Sequence, residues 1–76
     1  MIYTIVKENI SLYIDEINFL IDKNNNLIEF CNIPLYMDEF ALPEEKKLEL
    51  ERVVNKLNKV LELLNKIKNE INIIQN

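Results

Sequence analysis

The chain of 76 residues contains no glycine, no histidine and no tryptophan, a single cysteine and two prolines. Each absence closes off a class of activity. Without glycine, the common phosphate-cradling loops cannot form, because both need backbone free of a Cβ at fixed positions. Without histidine, and with Cys31 alone, there is no ligand set for a standard zinc site, no His-based triad and no imidazole general base. An enzyme, a metal site and a cofactor are therefore not expected. A lone thiol cannot close an internal disulfide, which suits a reducing cytoplasm. Met1 to Glu8 lacks the basic leader and apolar stretch of a secretory signal. The longest apolar run, counting Pro34, is the five residues from Ile33 to Met37, against the about 20 that cross a bilayer.

What the chain does contain is aliphatic bulk and acid. Apolar residues make up 49% of it, led by twelve Ile and eleven Leu, and the net charge is -4. That length suits one helical domain, residues 1–76, with no second core. Twelve Asn and eight Lys beside the Ile match AT-rich coding, which points to a low-GC bacterium or to a phage or plasmid living in one.

The C-terminal half carries the clearest pattern. Pro43-Glu44-Glu45 opens a helix, because Pro suits a first turn and acidic side chains meet the positive end of the helix dipole. Apolar residues then recur at Leu50, Val53, Leu57, Val60, Leu64, Ile67, Ile71 and Ile74, an unbroken alternation of three and four. A helix over about 43–74 would be roughly 48 Å long. Val54, Leu61 and Leu63 widen the stripe to that of a helix inside a bundle. Leu at one seam position and Val or Ile at the other favours four helices over a parallel pair. A parallel pair would also set Glu49 against Val54, Lys56 against Leu61 and Leu63 against Lys68, with no charge pairing to specify it.

The N-terminal segment repeats the pattern at Tyr3, Val6, Ile10, Tyr13, Ile17 and Leu20, with Ile14 and Ile21 beside it. This predicts a helix over about 3–23, ending at Asn24-Asn25-Asn26, where Asn tolerates the left-handed backbone that glycine would supply. The alternative for the first six residues is a short strand. Residues 24–42 are expected to be an irregular or partly extended connector. Pro34 disfavours helical backbone at Ile33, yet the segment is too apolar for a solvated linker. On these bounds the second helix outreaches the first by about eleven residues. The fold class expected is all-α, a long-armed helical hairpin that self-associates as a dimeric helical bundle through Leu50 to Ile74.

Three surfaces are candidates for function. The connector places Tyr36, Met37, Phe40 and Leu42 around Asp38 and Glu39, and aromatic and Met side chains are enriched where proteins bind one another. Arg52, Lys59 and Lys66 recur every seven residues, which puts a row of cations on one face for a phosphate backbone to follow. Residues 1–45 hold nine acidic and two basic side chains, a surface that complements a basic groove on another protein. Cys31 has no neighbouring cation to lower its pKa and reads as an inert buried thiol. The function expected is that of a small acidic regulator or inhibitor acting sterically on a partner protein, such as an antitoxin or an anti-defence protein of a mobile element. An RNA-binding hairpin dimer and a structural assembly subunit are the alternatives. The expected partners are another protein and a second copy of the chain. Nucleic acid is disfavoured by the negative charge, and no membrane or small-molecule substrate is expected.

Overall fold

The computed structural model describes residues 1–37, 39 and 41–75, with Gln75 by its backbone alone. It is a helical hairpin of two elements, α1 (Ile2–Tyr36) and α2 (Glu44–Gln75), packed along their lengths. Residues 2–6 form the start of α1, so the strand alternative does not hold.

The expected end of α1 at the Asn triplet is overturned. The helix runs thirteen residues further than Lys23, through Asn24, Asn25 and Asn26, and continues to Tyr36. Asn is only a weak helix breaker, at up to about 0.7 kcal/mol per residue relative to Ala. The seven-residue repeat also carries on across the triplet, since Ile21, Ile28, Cys31 and Leu35 are all covered. Packing of that stripe outweighs the local preference.

Pro34 lies inside the last turn of α1, where extended backbone at Ile33 was expected. A proline there forgoes the hydrogen bond that its own N–H would give to the carbonyl of Phe30 and sets its ring against that carbonyl, a local cost confined to the end of α1. The N–H of Met37 still donates to the Ile33 carbonyl at 3.1 Å. Met37 then turns to extended backbone, with φ -110° and ψ 110°, and α1 stops. The connector therefore shrinks from the expected 24–42 to 37–43. Within it Ala41 has φ +44°, the left-handed region that glycine would occupy at no steric cost.

α2 begins as expected. The Pro43 carbonyl accepts from the N–H groups of Lys46 (3.0 Å) and Lys47 (3.1 Å), with Glu44 and Glu45 in the first turn. Lys46 and Glu49 form an exposed ion pair at 3.3 Å, worth at most about 0.5 kcal/mol.

The two helices are 35 and 32 residues long, so the expected overreach of α2 is also overturned. Leu64, Ile67 and Ile71 are half-buried against α1. The hairpin is 59 Å long and 15 Å in each other direction. Leu35 and Tyr36 at the end of α1 share a groove with Glu51 and Val54, about two turns into α2, so the helices are staggered, and Ile2, Tyr3, Ile5 and Val6 stand exposed at the other end.

The contact stripe of α1 is Ile10, Ile14, Ile17, Ile21, Asn24, Ile28, Cys31 and Leu35; that of α2 is Lys47, Leu50, Val54, Leu57, Leu61, Leu64, Lys68 and Ile71. Neither is the seam read from spacing alone. On each helix the contact is rotated by about 50–60° from that seam, at 100° per residue. Ile14 and Ile21, expected at the edge of the stripe, face α2; Tyr3, Val6, Tyr13 and Leu20 are exposed. On α2 the leucines are kept while Val53, Val60 and Ile74 are turned out. The enclosed core is small, with Ile14, Ile17 and Cys31 as its fully buried apolar members among the described residues.

Candidate functional site

Two antiparallel helices side by side make a slab with two faces and two edges, and the heptad columns assign residues to each. Rotation sense reverses together with chain direction, so columns lying one step before the contact on α1 and on α2 fall on the same face. Asn32 and Glu51, each one step after it, meet in one groove and bear this out.

The first face is apolar. It carries Val6, Tyr13, Leu20 and Leu27 from α1 and Val53, Val60, Ile67 and Ile74 from α2. All but the half-buried Ile67 are exposed. None of the eight is charged. The opposite face is polar, with Asn18, Asn25 and Asn32 on α1 and Glu51, Asn58, Asn65 and Asn72 on α2.

The outer edge of α2 carries Arg52, Lys59 and Lys66, all exposed and seven apart, as their spacing requires. The outer edge of α1 is a feature that the seam concealed. Ile5, Leu12, Phe19 and Ile33 recur in multiples of seven on the side facing away from α2, with Leu12 64% and Phe19 60% exposed. Phe30 stands beside them, and Lys23 lies over the Phe19 ring at 5.0 Å. The multiples of seven were visible in the sequence, but a second stripe on the far side of a helix competes with the stronger one for attention.

Between this edge and the polar face runs a column of carboxylates, Glu8, Asp15, Asp22 and Glu29, continued by Tyr36. Tyr36 is 81% exposed. It lines a shallow groove with Asn32, Leu35, Glu51, Val54 and Asn55, of about 220 Å³, below the roughly 300–1,000 Å³ of small-molecule sites.

Of the connector residues singled out by sequence, Tyr36 closes α1, Met37 and Glu39 are exposed, and Leu42 is half-buried; Asp38 and Phe40 lie outside the described residues. Tyr36 and Met37 thus sit at the tip of the hairpin rather than in an independent segment. Cys31 is buried in the contact between the helices. So is Asn24, 9% exposed, whose side-chain oxygen Oδ1 has no hydrogen-bond partner among the described residues. The Asn triplet, read as a stop, puts it at a helix end on sequence, whereas it lies inside α1.

Among the described residues no group of three His, Cys, Asp or Glu side chains comes together as a metal site would require, and no helix is long and apolar enough to cross a membrane. Neither a protein-family model, nor a curated protein, nor a solved structure matches the chain.

Proposed function

We propose that this hairpin is a protein-binding element, a small acidic regulator or inhibitor that acts by occupying a surface of another protein. The observation that carries this reading is the outer edge of α1. A helix in a two-helix hairpin needs one apolar stripe, and this one has a second on its far side, in Leu12, Phe19, Phe30 and Ile33. An apolar row of this kind beside four carboxylates suits a hydrophobic groove with a basic rim, into which an amphipathic helix lays its anchors. Aromatic anchors supply affinity, and the acidic column supplies steering and orientation. Tyr36 and Met37 extend the same surface to the hairpin tip.

The test is affinity capture of tagged protein from a nuclease-treated low-GC bacterial lysate, using three forms. Wild type and the Arg52→Glu/Lys59→Glu/Lys66→Glu variant should retain the same stoichiometric protein partner. Leu12→Asp with Phe19→Asp should lose it while helicity by circular dichroism is unchanged. If everything bound disappears with nuclease, or follows the three cations, the protein-binding reading fails and a nucleic-acid role through the outer edge of α2 replaces it.

A further inference from the structure

We infer that the uncharged apolar face of the hairpin is covered by a second copy of this chain, two hairpins packing face to face as an antiparallel four-helix bundle. This rests on the hairpin being a binding element, but it uses a different surface from the outer edge of α1, so each proposal fails on its own test.

The rotation of the contact stripes is the first argument. On both helices the seam marked by residue spacing lies about 50–60° away from the line of contact between α1 and α2. In a four-helix bundle each helix touches two neighbours, and its apolar residues point between them, at the bundle axis. Half of each seam meets the other arm of the hairpin; the other half, centred on Leu20 and Val60, is exposed. That offset is the geometry of a helix with one neighbour present and one still to be supplied.

Area gives the second argument. A compact monomer of 9.1 kDa exposes about 4,900 Å², whereas this chain exposes 6214 Å². Covering the excess on two copies would remove roughly 2,600 Å², inside the about 2,000–5,000 Å² range of obligate dimers. An isologous contact also needs a patch that complements itself. Each chain carries a net charge of -4, yet the carboxylate column of α1 lies on the side away from the apolar face, so the eight residues that would meet are uncharged, with Glu16, Lys23, Glu49, Lys56 and Glu70 at their margins.

Sedimentation equilibrium on purified full-length chain, from micromolar concentrations upward, tests this directly. Wild type should show twice the 9.1 kDa of one chain. Leu20→Glu with Val60→Glu should weaken self-association by about a hundredfold or more, because each copy would bury unpaired charges. Leu12→Glu with Phe19→Glu should leave the dimer intact. A wild-type monomer at every concentration, a different multiple, or a dimer dissolved by the Leu12/Phe19 pair instead would overturn the inference. If the Leu20/Val60 variant fails to fold, the wild-type melting temperature decides. It should rise with protein concentration, and a flat dependence would refute the second copy.

Discussion

Asn24 is the residue where the sequence and the fold disagree most usefully. It opens a triplet that reads as a helix stop, and it lies instead in the contact between α1 and α2, 9% exposed, its amide oxygen without a hydrogen-bond partner among the described residues. Burying a polar group without its hydrogen bond costs about 1–3 kcal/mol in proteins. Asn24→Leu is therefore expected to raise the free energy of unfolding by about that amount, read from urea denaturation followed by circular dichroism. A lowered midpoint would mean that the oxygen finds a partner in solution worth more than the packing gained. Cys31, by contrast, is where the reading from sequence agrees with the structure in its burial, the thiol lying enclosed within the hairpin. Tyr13 and Leu20 went the other way, from expected core to exposed surface, because local spacing does not say which of two adjacent stripes meets the neighbouring helix.

At the scale of the elements, α1 and α2 are held differently at their ends. α2 starts on Pro43 with Glu44 and Glu45 in its first turn. α1 starts at an uncapped Met1 with no acidic residue in its first turn, and Ile2, Tyr3, Ile5 and Val6 are exposed. With the amide donors of Ile2, Tyr3 and Thr4 lacking helical partners and little packing, that first stretch has low local stability. Amide hydrogen exchange should therefore be fast over residues 2–9 and slow around Ile14, Ile17 and Leu64. Uniform protection along α1 would contradict this and would require a contact covering its N-terminal turns. The two helices themselves were legible, since seven-residue repeats of this length leave little else for the chain to be. The extent of α1 was not. The Asn triplet and Ile33-Pro34 are local stop signals, and they are overridden because Ile28, Cys31 and Leu35 keep the packing repeat in phase beyond them.

For the whole molecule, size and shape set the terms. The radius of gyration is 17.4 Å, against about 11 Å for a compact domain of this length. Few side chains carry the core, and Ile17, 2% exposed, is the most enclosed of them. Ile17→Ala is expected to cost about 2–4 kcal/mol, a large share of what so small a domain holds in reserve. A thermal melt should show it displaced far below wild type or unfolded, whereas Leu12→Ala on the outer edge should melt within a few degrees of wild type. Equal effects would mean that the outer edge is as enclosed as the hairpin contact.

The sequence by itself determined that the chain is all-α, that α2 begins at Pro43-Glu44, and that its three outer cations fall in one row. These follow from periods of three and four residues and from end chemistry, which are properties of neighbouring positions along one backbone. Only the tertiary structure decided that α1 runs to Tyr36, that Asn24 is interior, and which stripe of each helix meets the other. The reason is physical. Three adjacent heptad columns on α1, and three on α2, are apolar enough to pack, so local preference leaves the rotation of each helix open. The choice is made when two particular surfaces close against each other and the column left over faces outward.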